Sequence, residues 1–445
     1  MHSALDAKIW SIAWPAILAN ISIPLLGLVD AALLGHLDSS LHLAAVAVGG
    51  AVLSFLYWGF GFLRMGTTGE VARASGAGDE GRAFLSLGRA SALALAIALM
   101  LLLFRDPLLS LGLTAMGPEP EVGAVAERYA TLRMFSAPAV LLTYTLTGWF
   151  IGHRNTLWPM RIVIVTNLLN IALDALFILG FEMASGGAAL ATVIAEYCGL
   201  AIAVYGLAQQ TPQRPDAKFW QALRVVSAYM RLLRSNLQLF FRTLSLIFAF
   251  AFFTAAGEKL GSDVVAANAV MIQFLMFAAF ALDGFAYAAE GLAGQALGGR
   301  DTNRFFAISR RCALWTALAT LVVSVTILIS RNWLFPVLTD IPQVLAVMHA
   351  QGLWLVLLPL VAAPSYLLDG LFIGAGATGA MMSTMFFSTF LVYLPCWYLT
   401  TEMGNNGLWL AFTLFNLARS VSLGLIFWQL SRRQHWLRWE SDPSA

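Results

Sequence analysis

GWFIGHRNT (148–156) and GLFIGAGAT (370–378) align without a gap, 222 residues apart in a chain of 445. The same offset relates LAAVAV (43–48) to VAANAV (265–270) and ASGAGD (74–79) to ALGGRD (296–301). The chain therefore reads as an internal duplication, each half about as long as the offset. Apolar runs of roughly 20 residues recur from end to end, each long enough at ~1.5 Å per residue to cross a ~30 Å hydrocarbon core. Twelve are found, centred near residues 22, 56, 95, 140, 170, 197, 247, 277, 320, 362, 390 and 418. Each half holds six, and an even number of spans between the copies gives them the same orientation, with a pseudo-two-fold axis along the membrane normal.

Composition points the same way. The chain is 59% hydrophobic and 11% charged, with a mean hydropathy of +0.77, outside the range of a soluble globular domain. The long unbroken runs imply helices, since every backbone group must be satisfied within the span and a barrel would show short alternating strands. The expected fold is an all-α polytopic membrane protein with twelve transmembrane helices in two six-helix lobes. Its organisation is expected to be an N-lobe over 1–207, a cytoplasmic linker over 208–235, a C-lobe over 236–430 and a cytoplasmic tail over 431–445. The linker opens with the polar AQQTPQRPDAK and continues as KFWQALRVVSAYMRLLR, a basic amphipathic helix read chiefly as a tether.

Eighteen Lys and Arg residues, from Lys8 to Arg438, fall on one side of the spans and four on the other. The positive-inside rule then makes both termini cytoplasmic, in an inner cell membrane. The first run is too long for a cleavable signal and lacks a small-residue cleavage site. Cys198, Cys312 and Cys396 are isolated in apolar helices, and the six histidines are scattered, with no HExxH pair, nucleophile elbow or phosphate loop. No enzyme chemistry, metal or cofactor is expected. Nothing indicates nucleic acid as a partner; the expected partners are small molecules and membrane lipids, with the chain acting as a monomer.

A carboxylate at a helix centre costs about 2.5 to 3.5 kcal/mol on insertion scales, so each one needs a partner or a role. Asp30 lies deep in the first span, six residues after Pro24, which removes a backbone hydrogen bond and predicts a bend and a hinge. Asn170 and Asp174 stand four apart on one face of the fifth span, and Thr192 and Glu196 one turn apart in the sixth. Asn170 and Asp174 suit a proton, a sodium ion or a cationic group, with an interhelical polar contact as the structural alternative. Asp283, Glu290 and Asp369 are acids within the apolar runs of the second half, and none mirrors Asp30 or Asp174. Arg64, Arg133, Arg242 and Arg419 are expected to pair with acids or to reach the headgroups.

The runs PLLGLVDAALLGHLDS (24–39), GAALATVIAEY (187–197) and FALDGFAY (280–287), with the Asn170/Asp174 pair, resemble the multidrug and toxic compound extrusion family in its DinF-like branch. The resemblance covers nearly the whole chain. It implies twelve helices in two lobes and export of organic cations and other amphipathic compounds by antiport with protons or sodium. It also implies that Asp30, Asn170, Asp174 and Thr192 form one amino-terminal cluster, and that protonation of Asp30 bends the first helix. The family's sodium-type branch has an acid in the seventh helix, where RTLSLIFAFAFF (242–253) has none. Asp369 matches a tenth-helix acid of that branch, which leaves a second cation site open. Four functions are weighed: proton antiport, sodium antiport at the same side chains, a lipid-precursor flippase and a membrane-embedded enzyme.

Overall fold

The computed structural model describes residues 2–35 and 39–437, apart from the side chains of His2, Leu25, Leu26, Leu28, Asp30 and Ala31. The described residues are helical almost throughout and contain no strand. In order they form α1 (His2–Gly35), α2 (Ser40–Gly59), α3 (Phe62–Gly76), α4 (Glu80–Leu103), α5 (Arg105–Met116), α6 (Pro120–Met134), α7 (Ala137–Gly152), α8 (Leu157–Asp174), α9 (Ala184–Gln210) and the short α10 (Ala217–Leu223). There follow α11 (Val226–Glu258), α12 (Ser262–Gly298), α13 (Thr302–Leu338), α14 (Pro342–Ala375), α15 (Thr378–Phe386), α16 (Leu394–Leu399) and α17 (Asn405–Arg432). Ten continuous stretches among these are long and apolar enough to cross a bilayer, and the bent pair α6–α7 makes an eleventh. The 34-residue α1 completes the expected twelve.

Two compact units result. One comprises Leu18–Val71 and Asp79–Leu233; the other comprises Met1–Ile17, Ala72–Gly78 and Arg234–Ala445. The division at Leu233 falls inside the expected linker, but Met1–Ile17 and Ala72–Gly78 group with the second half rather than with residues 1–207. Their contacts within that unit give the reason. Asp6 accepts from Arg311 Nε at 2.8 Å and from Trp315 Nε1 at 3.0 Å, and Arg73 Nη1 donates to the Gly374 carbonyl at 3.0 Å.

The duplication is visible in the backbone. Asp79 and Asp301 each cap a helix by accepting, at 2.8 Å, the N–H of Arg82 and Arg304. The residues before them, Gly78 and Arg300, are both left-handed, at φ 75° and 56°. GWFIGHRNT and GLFIGAGAT end their helices alike: Arg154 and Gly376 sit at φ 61° and 75°, and Asn155 and Ala377 donate to Phe150 and Phe372 at 2.8 and 2.9 Å. This is the left-handed helix stop that satisfies carbonyls of the last turn.

Inside each unit the spans approach closely through small residues. A side chain at Gly370 or Gly374 of α14 would run into the α12 backbone at Ala286 and Glu290. The halves differ at their prolines. α6 and α7 meet at a 52° break, where Pro138 cannot continue the helix and Ser136 Oγ takes the Arg133 carbonyl at 2.7 Å. α14 carries Pro359 and Pro364 and remains one helix. The core of the second unit is aromatic, with Phe253, Tyr393, Trp409, Phe412 and Phe415 all buried.

Candidate functional site

α8 presents Asn167, Asn170 and Asp174 at helical spacing on one face. Asn170 and Asp174 are both fully buried, at 0% exposure, the condition under which an unmet polar group costs most. Asn170 Nδ2 donates to Asp174 Oδ2 at 2.7 Å and reaches Thr192 Oγ1 on α9 at 3.4 Å. The Thr192 hydroxyl donates to the Ala188 carbonyl at 2.9 Å, so its oxygen is left as an acceptor facing Asn170. Asn170 Oδ1 is buried and has no hydrogen-bond partner among the described residues. An orphaned acceptor of this kind costs about 1–3 kcal/mol, which a bound cation or hydrogen-bond donor would recover.

Asp174 also ends the regular helix. From Ala175 to Gly180 the backbone widens into a π-helical segment, a local irregularity often found at functional positions. Upstream on the same face, Asn167 Nδ2 donates to the Ser22 carbonyl at 3.1 Å and lies 3.3 Å from its hydroxyl. Ser22 stands two residues before Pro24, whose ring removes the N–H that would otherwise bond the Asn20 carbonyl. α8 thus holds α1 at its proline-weakened turn, and α1 stays helical through Pro24 to Gly35. The side chain of Asp30, the fourth expected member, lies outside the described residues.

The secondary candidates go elsewhere. Glu196 pairs with Arg133 at 3.1 Å, beside the break between α6 and α7, so α9 turns Thr192 toward α8 and Glu196 toward α6. Asp369, the secondary candidate at which a second cation site was left open, accepts on Oδ2 from Arg242 Nη2 and, at 3.0 Å, from Arg419 Nη2. Two tethered guanidiniums supply the positive charge that a mobile cation would bring, which makes Asp369 a poor cation site. Arg419 also reaches Asn416 Oδ1 at 3.4 Å and lies over the Phe415 and Tyr366 rings at 5.6 and 5.9 Å. Asp283 is half-buried on α12, within electrostatic reach of Tyr366 and thus near the same cluster. Asn167 and Ser22 were not singled out in the sequence, although Asn167 shares the face of Asn170 and Asp174 by spacing alone.

A helical membrane protein of two six-span repeats, with a buried amide and carboxylate beside a half-buried hydroxyl in one of them, has the build of a secondary transporter. Residues 15–176 and 239–399 match the MatE family, once in each half of the chain. The chain belongs to that family, whose members are multidrug efflux transporters and not enzymes. The DNA damage-inducible protein F of Escherichia coli (strain K12) is 38% identical over 436 residues, covering 97% of this chain and 93% of that protein. The multidrug resistance protein NorM of Vibrio cholerae is 25% identical, covering 97% and 95%. In three dimensions the chain is similar to the Vibrio cholerae MATE transporter VcmN in the bent form, with a TM-score of 0.86 at 24% identity over 98% and 99% of the two chains.

Proposed function

We propose that the protein exports amphipathic, chiefly cationic compounds across the inner cell membrane in exchange for protons, acting as a monomer with both termini cytoplasmic. Asp30, Asn170, Asp174 and Thr192 hold the coupling ion and the substrate's charge in turn. The observation that carries this reading is the fully buried Asn170–Asp174 pair with an orphaned amide oxygen beside it. A carboxylate in such a place favours either a proton or a bound cation. Exchange follows if the two compete: the cation leaves when the carboxyl groups are protonated, and the neutral site resets inward. Pro24 acts as the hinge of α1, where protonation of Asp30 favours one packing of the helix over another.

Sodium coupling is the second reading, and the same orphaned Asn170 Oδ1 favours it. Amide, carboxylate and hydroxyl oxygens together suit a hard cation. Dye efflux from proteoliposomes, driven first by an imposed proton gradient and then by a sodium gradient, separates them. Proton antiport predicts efflux under the first alone. Efflux driven only by sodium would replace the proton by sodium at the same four side chains.

A further inference from the structure

The linker does more than join the halves. α10 lies over an apolar crevice of about 260 Å³ in the first unit, whose walls come from α4, α7 and α9. Leu87, Leu142, Leu146, Leu200 and Leu207 line it, together with Phe219 of α10. Gly88 makes the docking possible, because a side chain there would collide with the Phe219 ring, which also lies 5.2 Å from the Phe84 ring. Arg89 fastens the other end of α10 by donating Nη2 to the Ala222 carbonyl at 3.1 Å.

The crevice has little to offer water. Its one polar lining side chain, Ser91, is already engaged with Thr145 at 3.3 Å. Val204, which lines it, is 51% exposed and belongs to α9, a helix long and apolar enough to cross a bilayer. An alkyl chain entering from the bilayer fits that combination of shape and chemistry.

The segment that carries Phe219 is basic. Lys218 precedes Phe219, Arg224 follows the last turn of α10, and both are exposed, as is Arg214. The acid among them, Asp216, is used as a helix cap, accepting the Phe219 N–H at 2.7 Å. Trp220 and Val226 beside them are 53% and 75% exposed, giving the mix of basic and large apolar groups that settles at a bilayer interface. We infer that the crevice beneath α10 binds an anionic phospholipid, one acyl chain lying among Leu142, Leu146 and Leu200 and the phosphate meeting Lys218 and Arg224. Each basic residue near an anionic headgroup changes affinity roughly fivefold.

The inference stands apart from the ion site and is tested without transport. The full-length protein in detergent is titrated with phosphatidylglycerol and phosphatidylcholine of identical acyl chains, and bound lipid is counted by native mass spectrometry. The wild type is expected to take its first phosphatidylglycerol at least about tenfold more tightly than phosphatidylcholine. Val204→Trp, which fills the crevice from an exposed position, should lose that first site for both lipids. The double variant Lys218→Gln/Arg224→Gln should keep phosphatidylcholine binding and lose the preference. Equal binding of the two lipids by wild type, undiminished binding by Val204→Trp, or a preference that survives the double variant would each overturn the assignment.

Discussion

The two halves place different chemistry at the same positions. Displaced by 222 residues, the places of Asp30, Asn170, Asp174 and Thr192 are held by Phe252, Val392, Cys396 and Leu414. In the first unit the fifth and sixth spans meet through an amide, a carboxylate and a hydroxyl. In the second, the corresponding region is an aromatic stack: Phe252 lies edge-on to Tyr393 at 5.4 Å, and Tyr393 lies 5.5 Å from Phe415. Charge in that unit sits elsewhere, with Asp369 fixed between Arg242 and Arg419. The helix stops and caps, by contrast, match almost atom for atom. Turns that set the path of the chain have stayed alike, while the interiors have diverged into one polar and one packed lobe.

If the polar lobe alone carries the ion, Asp174→Asn should remove proton-driven dye efflux from proteoliposomes down to the level of protein-free vesicles, and Asp30→Asn should do the same. The amide keeps the shape and loses the titration, so both variants should still insert and fold. Efflux at wild-type rate in either variant would break the contrast. The packed lobe should respond in stability instead. Asp369→Asn strips the shared counter-charge from two buried guanidiniums and is expected to cost about 3–5 kcal/mol, read by chemical denaturation in detergent. Coupling should survive in the fraction that folds.

Smaller effects sharpen the picture at the edge of the site. Asn167→Ala releases the clasp on Ser22 and should lower stability by about 1 kcal/mol. It should also slow efflux without changing which gradient drives it. Thr192→Val is expected to be the mildest, a roughly twofold to threefold slowing, because the 3.4 Å contact it removes is long and weak.

The sequence carried the architecture because its signals were strong and local. Apolar runs of bilayer length, the repeated GWFIG/GLFIG ending and the basic linker all report on single segments. Asn170 and Asp174 were legible too, since their four-residue spacing puts them on one face whatever the neighbours do. What spacing could not show was partners across helices. Nothing along the chain says that Glu196 meets Arg133 while Thr192, one turn away, meets Asn170, or that Asp369 is held by residues 127 and 50 positions distant. The grouping of Met1–Ile17 and Ala72–Gly78 with the second half was hidden for the same reason. The π-helical widening after Asp174 leaves no mark in ALFILG, because it is a property of backbone hydrogen bonding within an ordinary apolar run.

The competition between proton and substrate in the amino-terminal cluster can be observed without a membrane gradient. Purified protein in weakly buffered detergent, given a cationic dye substrate, should release protons to a pH indicator as the dye binds. Asp174→Asn should release fewer, and Asp369→Asn should match wild type per folded molecule. Dye binding with no proton release from wild type, or an undiminished release from Asp174→Asn, would contradict the assignment of coupling to the polar lobe.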